Sequence, residues 1–377
     1  MFKVKQLQKK TTYYCQKTKK HRQNPFRLLF SHYKFILDHI FYISQADKVT
    51  MKFHSKFLDI DFPDSIFDFS KIPTATKFST GTYVCFSVAL YISRHFLYNE
   101  SASDFPIEDI VNPMVQLIPN QVLKYPYALI TSNLIDTECW KFTVTLINLL
   151  IGGTFIENNW NSAEEMFKFV LGVGTLTNVI NVVITNMLAL ILPDVRLDVP
   201  LDGNYTIIIG FTIIYKQLLP ETTIINFKWP FEKNFRFKLL PIFITCFMTI
   251  MQLVWFHHFA HLLSIWISFL VCWIYLRFYQ ELPGTNVDEE VAVKGDASDT
   301  FELIYFFPDV TKPLLKPIFN CTYEFFAIKL GVITPFALND IDKGNDIAIK
   351  RGAKKISSST EDRRRQLALQ VLQERMS

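Results

Sequence analysis

The chain has 377 residues, half of them hydrophobic and 36 of them Phe, yet a formal charge of only +4. The apolar residues gather into long uncharged runs such as 241–256 and 259–276, where a water-soluble fold would scatter them at helical or strand periods. Runs near the roughly 20 residues needed to cross about 30 Å of hydrocarbon point to a membrane protein.

Residues 1–50 hold eleven Lys and Arg against two acids, Asp38 and Asp47. The apolar patch 35–43 is too short to span, contains Asp38 and His39, and lacks the h-region and cleavage site of a signal peptide. A basic cytosolic arm is therefore expected over 1–78, able to brush anionic lipid. Met51 is a second plausible start, which makes 1–50 a non-essential extension on this reading; N-terminal mass spectrometry would test it.

Six spans are expected between 79 and 279. The first covers 80–97, and a long polar loop follows, rich in Asp and Glu. The second, 142–156, contains Gly152 and Gly153 and ends in the turn 155–160. The third, 169–192, carries Asn178, Asn181 and Thr185 at i, i+3 and i+7, which places them on one helical face. In lipid such a face turns inward, where amides and hydroxyls bond to neighbouring helices. In the fourth span, 203–219, Gly203 and Gly210 lie two turns apart and let backbones approach closely. The fifth (239–256) and sixth (259–276) are joined so tightly that they form a hairpin.

Of 39 basic residues, 34 fall in the arm, the linker after the fourth span and the tail after the sixth. The two long loops on the other side hold one each, so the positive-inside rule places both termini in the cytosol. The tail, 280–377, stays rich in Phe, Ile and Leu as far as 336 and is expected to pack against the bundle or the membrane face. Residues 339–360 read as a polar linker. Residues 361–376 read as a short amphipathic helix with Arg363, Arg364 and Arg365 beside an apolar stripe, suited to anionic lipid or an acidic partner.

Three blocks carry a resemblance: WIYLRFYQ at 273–280, GDASDTFELIYFFP at 295–308 and RRRQLAL at 363–369. In this order and setting they resemble the transmembrane protein 115 family, which is Golgi-resident and rhomboid-like. Gly203, Gly210, Lys216 and Gln217 match that family's corresponding span in separation. The segment Tyr125-Pro126-Tyr127 with Thr131, and the Gly-Gly followed by Glu157 and Trp160, look like rhomboid features. The resemblance implies a six-span rhomboid-like bundle without proteolytic activity, in an all-α membrane protein. It also implies a role in Golgi-to-endoplasmic-reticulum retrograde transport, with the conserved oligomeric Golgi tethering complex, coatomer-dependent transport and a second copy of the chain as partners.

The residues bear on the enzyme question themselves. Intramembrane proteolysis needs a Ser nucleophile at the head of the fourth span, a His base on the sixth and oxyanion donors on the second. No serine lies between Ser162 and Ser264, and Asp202 stands where the nucleophile would be. No histidine lies between His95 and His257. His261 occupies the position of the base, with His257 and His258 a turn away; they are read as interfacial imidazoles, not metal ligands. The six cysteines, at 15, 85, 139, 246, 272 and 321, form no CxxC pair, and there is no Gly-rich phosphate loop. No cofactor, metal, catalytic residue or nucleic-acid partner is expected. Two alternatives stay open: an atypical hydrolase using Asp202 and His261, and a lipid or solute transporter built on Asn178, Asn181 and Thr185.

Overall fold

Helix α1 (Thr74–Ser101) opens the helical body. The structure, a computed structural model, describes residues 52–54, 58–61, 72–101, 111–136, 138–192, 195–201, 203–227, 234–256, 259–282, 293–324 and 335–353. Helix α2 (139–160) is continuous, with a wide π turn at Asn148–Gly152. Helices α3 (Ala163–Ile191), α5 (Phe237–Val254) and α6 (Ala260–Tyr279) are each long and apolar enough to cross a membrane, and α4 (Thr206–Leu218) is a shorter apolar helix.

Local chemistry sets the joints. Asn161 takes a left-handed φ of 51° and stops α2; a short polar side chain tolerates that conformation. Ser162 then caps α3, its Oγ accepting from the Glu165 N–H at 3.2 Å. Glu164 and Glu165 lie in the first turn, against the positive end of the helix. Pro241 stands in the first turn of the α-helical part of α5, Leu240–Met251, where a missing N–H costs little.

The outward faces of the long helices are apolar, and the buried interior mixes apolar with polar side chains. On α3, Leu176, Val179, Val183, Met187 and Leu190 are exposed, whereas Asn178, Asn181 and Thr185 are buried. On α5 the exposed side chains include Phe243, Phe247, Ile250 and Leu253. Water would invert that arrangement; hydrocarbon requires it, because polar groups can bond only to other helices.

Long-range bonds sort the helix ends onto two faces. On one, Leu117 bridges Leu201, the Asn120 N–H donates to the Leu197 carbonyl at 3.2 Å, and His261 meets Pro200. This is the loop face, built from the segment between α1 and α2 and the segment between α3 and α4. On the other, the Glu157 carboxylate accepts from the Ala75 and Thr76 N–H groups, at 3.0 and 2.7 Å, and from Thr76 Oγ1 at 2.8 Å. Tyr275 Oη donates to Glu165 at 2.9 Å, and Gln217 Nε2 donates to Gln280 Oε1 at 3.1 Å. This second face also carries the tail.

Two features differ from expectation. A four-stranded antiparallel sheet joins β1 (Lys52–His54) and β2 (Leu58–Asp61) to β3 (Thr223–Phe227) and β4 (Asn234–Arg236), in that order. The stretch before α1 is thus more than an arm: Leu58 lies opposite Phe227. Strands this short are stabilised by their partners, and the partner here lies beyond four helices. Beside it, Glu221 accepts from Arg236, and from Lys238 Nζ at 3.3 Å.

After the hairpin β5 (Glu281–Leu282) and β6 (Val293–Lys294) come α7 (Lys312–Glu324) and α8 (Leu338–Lys350). Helix α8 replaces the first half of the expected 339–360 linker. Its composition is polar, but Ile341, Asn345 and Ala348 recur at helical spacing, and it packs where Gly344 faces the backbone of Ala297 and Ser298.

Candidate functional site

Three polar clusters could do chemistry or binding. The first occupies the head of α4. A Cβ added to Gly203 would lie 2.5 Å from Ser132 Oγ and 2.6 Å from the Ser132 carbonyl carbon and oxygen, so the segment 128–134 sits directly on the α4 backbone. Ser132 brings a hydroxyl to this spot, and its Oγ accepts from Asn178 Nδ2 at 2.9 Å. His261 Nε2 lies 3.2 Å from the Pro200 carbonyl oxygen. A carbonyl can only accept, so this nitrogen donates and is occupied at the position a rhomboid-type base would use to take a proton. Asp202, His257 and His258 lie outside the described residues. Among the described residues no three His, Cys, Asp or Glu side chains gather as metal ligands.

The second cluster is the polar interior. Asn178 Nδ2 also donates to the Leu129 carbonyl at 3.0 Å and lies 2.7 Å from Asn133 Oδ1. Asn181 and Thr185 are buried further along the same face. Nearby, Asp136 accepts from Tyr83 Oη, and its other oxygen accepts from Asn204 Nδ2 at 2.7 Å; that amide also reaches Thr145 Oγ1 at 3.1 Å. Asp136 falls in the acidic loop expected between the first two spans, and the structure buries it between α1, α2 and the residues just before α4. The signal was the apolar pair Leu134 and Ile135 immediately before it.

The glycines mark where backbones close up. Gly152 faces the Tyr215 hydroxyl and Phe211, Gly153 faces Thr76 and Met166, and Gly210 faces Phe169 and Cys272. Tyr215 Oη donates to Asn148 Oδ1 at 3.0 Å, inside the π turn of α2. The wide turn therefore lies beside the α2–α4 contact.

The third cluster docks the tail. Arg277, buried in the last turn of α6, donates through Nη1 to the Asp296 carbonyl at 2.6 Å and to the Ser298 carbonyl. Asp296 turns back on itself, its Oδ1 accepting from the Ser298 N–H at 3.0 Å and from Ser298 Oγ at 2.6 Å. Asn345 of α8 pairs with Asp299 in both directions, each bond 2.9 Å. Trp273 Nε1 donates to the Phe301 carbonyl at 3.1 Å. At the end of α4, Lys216 places Nζ 3.2 Å from the centre of the Phe306 ring, a cation–π contact in which both groups are buried. Sequence blocks read separately, Lys216-Gln217, 273–280 and 295–308, thus meet at one place. Arg363, Arg364 and Arg365 lie outside the described residues.

Arg277→Met should keep the packing of the stem while removing both donors. The expected result is faster trypsin cleavage at Lys294 and Lys343 in detergent-solubilised protein, with the melting of the helical body unmoved. Unchanged cleavage would mean that Phe306 and Asp299 hold the tail without the arginine.

A helical bundle with an apolar exterior and three helices long enough to cross a membrane defines an integral membrane protein with several spans. Residues 77–377 match the family described as "Eukaryotic integral membrane protein (DUF1751)". The chain is 54% identical over 341 residues to the Transmembrane protein 115 homolog of Saccharomyces cerevisiae, covering 86% of this chain and 99% of that one. It is 28% identical to Rhomboid-like protein 19 of Arabidopsis thaliana, covering 55% and 64% of the two chains. It is 23% identical to Transmembrane protein 115 of Homo sapiens, covering 66% and 67%. No solved structure matches. The chain belongs to the DUF1751 family of eukaryotic integral membrane proteins, together with the transmembrane protein 115 proteins.

Proposed function

We propose that the chain is a non-enzymatic scaffold of the Golgi membrane that acts in Golgi-to-endoplasmic-reticulum retrograde vesicle transport. On this reading α1 to α6 make six crossings with both termini in the cytosol, and the conserved oligomeric Golgi tethering complex binds the exposed cytosolic parts. A second copy of the chain is a further proposed partner.

The crossing number is supported by the sorting of helix ends: each of α1 to α6 runs between the loop face and the tail face. The pairing of β2 with β3 requires an even number of crossings between them. The basic residues concentrate in the segments on the tail side, which is then cytosolic. The Golgi and transport parts of the reading rest on family membership.

The observation that carries the scaffold reading is His261. Its Nε2 is bonded to the Pro200 carbonyl, and the Ser132 hydroxyl, brought against the backbone just before α4, accepts from the Asn178 amide. A Ser132–His261 couple for acyl transfer would need that hydroxyl and that imidazole bonded to each other. The polar face of α3, with Asn178, Asn181 and Thr185, is on this reading a packing surface and not a transport path.

Three measurements test it. Tags at both termini should report cytosol, and one near Pro113 should report the lumen; termini on opposite sides would remove the six-crossing reading. Proximity labelling from the C-terminus should recover subunits of the tethering complex, and their absence would remove that partner. Purified protein should leave a fluorogenic transmembrane substrate intact. Cleavage that disappears in His261→Ala or Asp202→Ala would instead establish the hydrolase.

A further inference from the structure

Helix α7 is amphipathic, none of its residues is buried, and its apolar stripe is exposed. At 100° per residue Leu314, Ile318 and Cys321 fall on one side, at i, i+4 and i+7, with Thr322 beside them. All four are exposed, Leu314 by 73% and Ile318 by 54%, and Val310 just before the helix by 90%. An open apolar hollow runs along this stripe, lined by Pro317, Ile318, Cys321 and Thr322. Lys312, Lys316 and Asn320 occupy the opposite side.

The helix is also pinned in place. Lys312 Nζ lies 4.5 Å from the centre of the Tyr305 ring, and the Phe307 and Phe319 rings are 5.6 Å apart. Between Tyr305 and Phe307 stands Phe306, the ring under Lys216 at the end of α4. Helix α7 therefore starts no more than about 20 Å of extended chain from the end of a membrane-embedded helix, and its ring contacts hold it closer than that.

We propose that α7 is an interfacial helix, lying along the bilayer surface with Leu314, Ile318 and Cys321 in the acyl–headgroup boundary of the leaflet that α4 and α6 end in. Lipid is the proposed occupant because α7 starts six residues after Phe306, the ring under Lys216 at the end of α4, where the chain leaves the bundle. A helix with a strongly polar face and a narrow apolar one suits the interface, where only one side is buried. The proposal rests on the membrane-embedded reading of the bundle.

The test uses full-length protein with its cysteines replaced, reconstituted in phosphatidylcholine–phosphatidylserine vesicles. An environment-sensitive fluorophore is placed in turn at Leu314→Cys, Ile318→Cys, Lys316→Cys and Phe247→Cys, the last on the exposed face of α5. Blue-shifted emission and quenching by nitroxide-labelled lipid are expected at 314, 318 and 247, and neither at 316. Quenching at 247 but not at 314 and 318 would overturn the interfacial helix alone. A blue shift at 314 and 318 without lipid quenching would overturn it in favour of a protein cover, such as a second copy. Absence of quenching at 247 would overturn the membrane reading of the bundle itself, and the proposal with it.

Discussion

Glu157→Ala is expected to lower the stability of the solubilised protein by about 3 kcal/mol, since it leaves buried donors at the start of α1 without an acceptor. The carboxylate closes two helices at once. It projects from the last turns of α2 and accepts both free N–H groups at Ala75 and Thr76 together with the Thr76 hydroxyl. The first N–H groups of a helix have no partner within it, and water cannot supply one here, because Ala75 and Thr76 are fully buried. Gly153, one turn earlier, faces Thr76 as well, so the two helices are too close for a solvent layer. Glu157→Gln should fall between, since the amide keeps one acceptor and presents an NH₂ to the remaining donors. The check is the thermal midpoint of the detergent-solubilised protein, with order wild type, Gln, Ala. A Gln variant as stable as the parent would show that one acceptor suffices.

Gly203→Ala should cost about 1–3 kcal/mol, the range for overpacking a filled core. The added methyl would meet the Ser132 carbonyl carbon and oxygen at 2.6 Å, and backbone cannot swing aside as a side chain can. Gly210→Leu should cost at least as much, because even its Cβ would lie 2.7 Å from Phe169 Cζ and 2.9 Å from the buried Cys272 Sγ. An internal control lies on α3. Nothing approaches within 4 Å of a Cβ at Gly172, so Gly172→Ala should be neutral, or stabilising by up to ~1 kcal/mol through helix propensity. Melting points for Gly203→Ala and Gly172→Ala that coincide would dismiss close approach as the reason for glycine at 203.

Much of the helical body was legible because hydrocarbon imposes one simple demand, an apolar exterior of sufficient length. The runs ending near Leu192, Phe256 and Leu276 follow from that alone. The spacing of Asn178, Asn181 and Thr185 placed them on one face, but not what they would touch. Asn178 bonds to Leu129, Ser132 and the neighbourhood of Asn133, a segment nearly fifty residues earlier with no periodicity of its own. The burial of Asp136 was equally hidden, because an acid flanking an apolar run reads as a loop until Tyr83 and Asn204 are seen to converge on it. Helix α8 escaped because its apolar positions, Ile341 and Ala348, are few and its contacts to the 297–299 turn run through Asn345 and Gly344.

The sheet has a consequence for synthesis at the ribosome. Leu58 pairs with Phe227, 169 residues later. At roughly 5–20 residues per second, the first hairpin waits about ten to thirty seconds for its partner strand to be made. During that interval β2 presents an open edge of unpaired N–H and C=O groups, the feature most prone to wrong pairing. On the six-crossing reading proposed above, the partner reaches β2 on the same side only once α1 to α4 have been threaded into the membrane in the correct sense. A helix inserted backwards would deliver β3 to the opposite compartment, and the edge would stay open. On that reading, closure of the sheet would record that the first four helices went in correctly, and an open edge would mark a misinserted chain for any quality-control factor that recognises unpaired strands.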